Sequence, residues 1–122
     1  MILGIGLDLC EVGRMEEALC DARFLGKYFA PEEQAYIQQR GKGAARSLAG
    51  HFAAKEAGLK ALGCGIVVPL REIYVTHDEK GAPRLVLEGK ALARMKALSG
   101  TTMHLSITHT DGMAAAVAVL EG

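Results

Sequence analysis

Between Ile2 and Leu9 the chain alternates, with Leu3, Ile5, Leu7 and Leu9 in one set of positions and Ile2, Gly4, Gly6 and Asp8 in the other. A period of two predicts a strand. Gly4 and Gly6 clear one face in front of Asp8, leaving room for a ligand or a neighbouring chain to approach the backbone. Asp8 also has a plainer reading, as the N-cap of a following helix. Helical spacing then runs over Glu11 to Ala22. Pro31 with Glu32 and Glu33 marks a second helix start, a proline in the first turn and acids at the positive dipole end, and that helix is expected to reach Gly41.

Gly41-Lys42-Gly43 breaks the pattern before a third helix from Arg46 to Gly63, which Gly63-Cys64-Gly65 stops as a glycine C-cap. Arg71 to Thr76 and Arg84 to Leu87 flank Asp78-Glu79-Lys80-Gly81 as a hairpin, with Pro83 entering its second strand. Gly89 to Leu98 reads as a short helix. Thr102 to His109 and Met113 to Leu120 form a last strand pair, joined by Thr110-Asp111-Gly112, where Asp-Gly tolerates positive φ. The order of elements predicts an α+β fold with a mostly antiparallel sheet. No repeat, low-complexity tract or linker interrupts it, so residues 1–122 read as a single domain.

One position breaks the amphipathic pattern of the third helix. At about 100° per residue, Phe52 lies roughly 40° from Glu56 and Leu59 roughly 60° on the same side, with Lys60 roughly 40° on the other. Glu56 thus falls where an apolar side chain is expected. Burying an ionised carboxylate is costly without compensation, and the compensators in reach are a bound cation, Lys60 one turn on, or both. A simple Glu56–Lys60 pair on a partly exposed helix is the alternative.

Composition narrows the setting. The 122 residues are 50% hydrophobic, enough for one buried core. Fourteen basic and fourteen acidic side chains cancel, which argues against a nucleic-acid or membrane-surface protein by bulk charge. No apolar run approaches the roughly 20 residues of a membrane helix, so the chain reads as cytoplasmic. Cys10, Cys20 and Cys64 are odd in number and lack CxxC spacing, and they read as reduced thiols packed in a core. The absence of Trp argues against a stacking platform for single strands.

Gly4-Ile5-Gly6 lacks the third glycine of a dinucleotide-binding loop, and no Walker motif is present. The chain instead offers two acids, Asp8 on a strand and Glu56 on a helix, accompanied by Lys55, Lys60 and the basic positions Arg40, Lys42 and Arg46. Carboxylate oxygens in that number suit magnesium, which fills its remaining positions with water and substrate phosphate. The chemistry indicated is transfer at a phosphate, with metal and lysine neutralising charge on the phosphoryl oxygens and the leaving group.

Gly4-Ile5-Gly6-Leu7-Asp8 followed by Arg14, and Phe52-Ala53-Ala54-Lys55-Glu56-Ala57 followed by Lys60-Ala61, resemble the two signatures of holo-acyl-carrier-protein synthase, the small bacterial type of phosphopantetheinyl transferase. Leu105-Ser106-Ile107-Thr108-His109-Thr110 resembles that family's C-terminal segment, and the likeness runs from Met1 to about Glu121. The resemblance implies transfer of 4'-phosphopantetheine from coenzyme A to a serine of apo acyl carrier protein, releasing adenosine 3',5'-bisphosphate, in support of fatty acid biosynthesis. By matching positions it implies magnesium on Asp8 and Glu56, Lys60 against the coenzyme A phosphates, and Lys42 and Arg46 toward the adenosine 3'-phosphate. Arg14 matches the arginine that meets the acidic helix of the carrier protein, and Arg23 and Lys27 extend that patch. The resemblance also implies assembly as a trimer, with the coenzyme A site between neighbouring subunits.

The base that takes the serine proton has two candidates, Glu56 through a metal-bound water and His109 at the end of a strand. Some members carry an acid directly after the matching histidine; here Thr110 stands there, and Asp111 reads as a turn residue. Two other readings compete: a non-catalytic module holding an acidic helical partner through Arg14, Arg23 and Lys27, and a transferase serving carrier domains of polyketide or peptide synthases. The chain length favours the fatty-acid type.

Overall fold

The computed structural model describes residues 1–122, apart from the side chain of Ile66. The alternating N-terminal segment forms β1 (Ile2–Glu11), running past the expected end at Leu9. Its glycine face is filled. A Cβ on Gly4 would stand 2.0 Å from the carbonyl oxygen of Ala61, and one on Gly6 1.8 Å from that of Ala57. Both carbonyls belong to α4 (Ala44–Leu62), the long helix predicted from Arg46 to Gly63. The glycines therefore bring strand and helix backbones together, and the space expected there for a ligand or a neighbouring chain is taken by the protein's own helix. Asp8 lies within the strand and caps no helix; α1 (Val12–Ala18) begins after Glu11, without a side-chain cap.

β1 is an edge of a three-stranded antiparallel sheet in the order β1-β5-β4, where β4 (Thr102–His109) and β5 (Met113–Glu121) are the predicted C-terminal pair. β5 turns Ala114, Ala116, Ala118 and Leu120 into the core, and α4 contributes the buried Ala53, Ala54, Ala57 and Ala61. Small side chains on both partners let the long helix lie close on the sheet and fill its inner face. The turn between β4 and β5 differs from expectation. Neither Asp111 nor Gly112 has positive φ; the Thr110 hydroxyl instead accepts from the N–H groups of Gly112 at 3.3 Å and Met113 at 3.1 Å.

The outer face of the same sheet is apolar and uncovered in the single chain. Ile5, Leu7 and Leu9 are 61%, 61% and 62% exposed. They stand in register with Val119, Val117 and Ala115 of β5.

The segment from Glu11 to Ala22, expected as one helix, is broken. α2 (Ala22–Tyr28) starts anew because the Asp21 carboxylate accepts from the N–H groups of Arg23 and Phe24 at 3.0 and 3.1 Å. A strong N-cap at Asp21 outweighs helical continuity there. α3 (Pro31–Gln38) stops short of Gly41, and the Gly41–Gly43 turn leads into α4. β2 (Ile73–His77) and β3 (Pro83–Leu87) form a separate antiparallel hairpin, with Gly81 at φ +87° in its turn. α5 (Gly89–Ala97) follows as predicted. The α+β expectation holds, with the strands divided between two sheets. Of the cysteines, Cys10 is buried, Cys64 is half-buried and Cys20 is exposed, so the expected core packing fails for Cys20.

Candidate functional site

Asp8 projects from β1 toward α4, and the helix answers with Lys60. The Lys60 ammonium donates to Asp8 Oδ1 at 3.0 Å and to the carbonyl of Leu7 at 2.9 Å. The lysine is thus bound to the strand, and the simple Glu56–Lys60 pair is not formed. Glu56 sits one turn earlier and is half-buried. Burial raises its carboxyl pKa, the negative charge of Asp8 raises it further, and Lys60 opposes both. Two acids and one ammonium therefore share a corner between β1 and α4, where added positive charge would be stabilised. Beside Glu56 opens a largely apolar cleft of about 310 Å³, lined by Lys27, Tyr28, Leu59, Val68, Pro69 and Leu70.

Lys55 does not join this corner. It is fully buried, with its ammonium on Oε1 of the equally buried Glu33. Burial brings the lysine down to about pKa 8 against the pull of Glu33. For Glu33, burial pushes upward, but the His51 hydrogen bond and the Lys55 charge outweigh it and hold the carboxyl below its usual value.

A second concavity, of about 190 Å³, lies near the start of α4. Arg40, Arg46, His51, His77 and His109 line it together with Tyr36, Ser47, Gly81 and Pro83. Tyr36 stacks on His77 at 3.9 Å and on His51 at 5.6 Å, and the Arg40 guanidinium sits 5.4 Å over the Tyr36 ring. Burial holds His77 below its usual pKa, with the charges of His51 and Arg40 acting the same way. Arg46 also reaches Asp111 at 3.2 Å, an exposed pair of little energetic weight. Lys42, on the Gly41–Gly43 turn, is exposed and does not line this pocket with Arg46.

The corner and the pocket look away from each other. Ser47 and Glu56 are nine residues apart on α4, which places them on opposite sides of the helix, roughly 180° around and about 13 Å along the axis. Asp8 pairs with Ala116, which pairs with Ile107, so β1 and β4 are separated by two strand spacings, about 10 Å, with α4 packed over them. His109, on β4, is therefore not brought to Glu56 within one chain. Arg14 on α1 and Arg23 and Lys27 on α2 are exposed, and Lys27 also borders the cleft beside Glu56.

Sequence reasoning singled out Asp8, Glu56, Lys60, Arg46 and His109, and missed Glu33, Tyr36, His51 and His77. A signal for part of this existed: His51 and Lys55 are one helical turn apart and share a face that an apolar core would not accept without an acid. The acid's position, on another helix, was not legible. Among the described residues no group of three or more His, Cys, Asp or Glu converges to hold a metal. The corner offers two carboxylates.

The fold and these two sites define a small α+β protein with two carboxylates and a lysine at one corner and a cationic, aromatic-lined pocket on the other side of the same long helix. Residues 4–118 match the family model of the 4'-phosphopantetheinyl transferase superfamily, and the chain belongs to that superfamily. It is 47% identical over 123 residues to the holo-[acyl-carrier-protein] synthase of Treponema denticola, with 100% of both chains covered. It is similar to the crystal structure of the holo-[acyl-carrier-protein] synthase from Neisseria meningitidis, with a TM-score of 0.88, 33% identity and 100% of each chain covered. The Helicobacter pylori holo-[acyl-carrier-protein] synthase in complex with coenzyme A gives a TM-score of 0.82 at 29% identity, covering 96% of this chain and 99% of that one.

Proposed function

We propose that this chain, acting as a single domain over residues 1–122, transfers 4'-phosphopantetheine from coenzyme A to a serine hydroxyl of apo acyl carrier protein and releases adenosine 3',5'-bisphosphate. The observation that carries the reading is the corner of Asp8, Glu56 and Lys60. In the reaction the serine oxygen forms a bond to the pantetheine-bearing phosphorus, and the bond from that phosphorus to the adenosine-side oxygen breaks. Negative charge grows on the leaving phosphate, so a site that stabilises it lowers the barrier.

Asp8 and Glu56 are the residues that would hold magnesium. The raised pKa of Glu56, caused by burial and by Asp8, is what a cation would relieve, and two hard oxygen donors fit that ion. Bound magnesium supplies charge neutralisation on the phosphates and orients them. Lys60, half-exposed and held on Asp8 and the Leu7 carbonyl, is the cation at this corner that would meet a phosphate oxygen. The serine proton goes to Glu56, which shares the corner, or to His109, which enters only from a second subunit.

Opposed sites on one helix make sense in a closed ring of copies. The corner of one chain faces the pocket of the next, and coenzyme A lies between them with its adenosine end among Arg46, Arg40 and His109. The exposed strip of Ile5, Leu7 and Leu9 supports burial against other copies, and a head-to-tail contact that closes gives the homotrimer. Arg14, Arg23 and Lys27 form the face for the acidic helix of the carrier protein. Among the described residues no helix is long and apolar enough to cross a membrane, which accords with work in the cytoplasm on a soluble carrier.

The test is release of adenosine 3',5'-bisphosphate, followed by chromatography. It should require coenzyme A, apo acyl carrier protein and magnesium together. Release at the same rate without the carrier protein would point to hydrolysis, and none in the full mixture would leave a binding module as the better reading.

A further inference from the structure

Both oxygens of Glu33 are in use. Oε1 accepts from the Ala30 N–H at 3.0 Å and from the Lys55 ammonium; Oε2 accepts from the Val75 N–H at 3.1 Å and faces His51 Nδ1 at 3.1 Å. An ionised carboxylate only accepts, so the proton of that last contact is on Nδ1. The other ring nitrogen, Nε2, is buried and has no partner among the described residues. His51 is 2% exposed and lines the pocket that Arg40 and Arg46 make cationic. Stacking on Tyr36 with an interplanar angle of 15°, and on His77 at 29°, restrains the ring from turning over.

We propose that Glu33 is a positioning residue that fixes His51 with Nε2 toward the pocket, where the imidazolium donates to a phosphate oxygen of the adenosine 3',5'-bisphosphate end of coenzyme A. The proposal rests on the coenzyme A reading of the pocket given above. Lys55 neutralises Glu33, so a proton gained at Nε2 adds net positive charge where the phosphate arrives. That nitrogen is covered in the free chain, so the phosphate oxygen reaches it only when the pocket wall over it gives way. The buried carboxylate then matters to substrate affinity although it touches no substrate.

The direct test is long-range proton–nitrogen NMR of the histidine rings during titration with adenosine 3',5'-bisphosphate. His51 should be protonated at Nδ1 throughout, and its Nε2 signal should move into the protonated, hydrogen-bonded range as the nucleotide saturates. His51→Gln, which leaves Glu33 and Lys55 paired, should bind the nucleotide about tenfold or more weakly, the scale of one charge-assisted hydrogen bond. Glu33→Gln should show the same loss with the His51 ring signals broadened or split between tautomers; if that variant does not fold, His51→Gln and the parent spectra decide alone. Ligand-induced shifts at His77 and His109 with His51 Nε2 unmoved would overturn the proposal and leave the pocket reading standing. No shift at any of the three rings would overturn both.

Discussion

Glu33 anchors more of this molecule than any residue of the proposed reaction. It joins α3 to α4 through Lys55 and His51 and to β2 through the Val75 N–H, entirely out of water. Removing one partner of such a buried pair leaves the other charge stranded, so Glu33→Ala should cost about 3–5 kcal/mol in urea unfolding. The pH dependence has a definite sign. The folded-state pKa of Glu33 lies below its unfolded value, so its contribution is complete above the unfolded pKa and disappears as pH falls through the folded one. The parent should lose stability on acidification below the ordinary glutamate pKa, of about 4.3, more steeply than a folded Glu33→Gln variant, measured as urea midpoints against pH. Lys60 behaves differently, since it is half-exposed and bound to Asp8 and a carbonyl. Lys60→Ala should raise the KM for coenzyme A and lower kcat by about tenfold or more while the carrier-protein KM moves less, because the lost charge acts on phosphates. An unchanged coenzyme A KM would remove Lys60 from the phosphate site.

At the scale of elements, the meeting of β1 and α4 places the corner. Gly6→Ala puts a methyl group 1.8 Å from the Ala57 carbonyl oxygen, which neither backbone can yield without moving Asp8 relative to Glu56. The variant should fail to fold or lose several kcal/mol, on the order of 3 or more. Gly13→Ala, in α1 with nothing within 4 Å of the new carbon, should instead be neutral or stabilise by about 0.5–1 kcal/mol. Thermal melts of the two variants side by side separate packing from backbone propensity. The existence and type of most elements were legible because their periods are clean, two in β1 and β4 and helical in α4, while β5, apolar at nearly every position, was marked by the Thr110-Asp111-Gly112 turn before it. What the glycines faced was not legible, since alternation says which residues share a face and nothing about what covers it. The start at Asp21 was legible in principle as a cap, but the expected helix was carried on to Ala22 and α2 beyond it was not read from the sequence. Glu56 stood out in the sequence because an acid falls where the helix wants an apolar side chain, whereas its grouping with Asp8 and Lys60 rested on the resemblance of both motifs to one family. Glu33 with His51 could not be assembled from sequence, because their contact spans α3 and α4 and depends on how those helices pack.

At the scale of the whole molecule, one chain carries two sites that point apart and an apolar sheet face that no solvated monomer favours. Leu7→Asp, on that face, should give a folded monomer by sedimentation with at least about tenfold less activity, a charge in an apolar interface costing several kcal/mol. Mixing an Asp8→Ala variant with an Arg46→Glu variant and letting subunits exchange should restore part of the activity, since some junctions then join an intact corner to an intact pocket. Activity no higher than that of the separate variants would place both sites on one chain's substrate.

The central claim is that the Asp8–Glu56 corner carries phosphopantetheine transfer. Mass spectrometry of apo acyl carrier protein, incubated with coenzyme A and saturating magnesium, tests it most directly when the parent and Glu56→Gln are run together. The parent should add a single phosphopantetheine to the carrier, and Glu56→Gln, which keeps the side chain's size and loses its charge, should leave the carrier unmodified over the same time. A carrier unmodified by the folded parent, or modified equally fast by Glu56→Gln, would contradict the account.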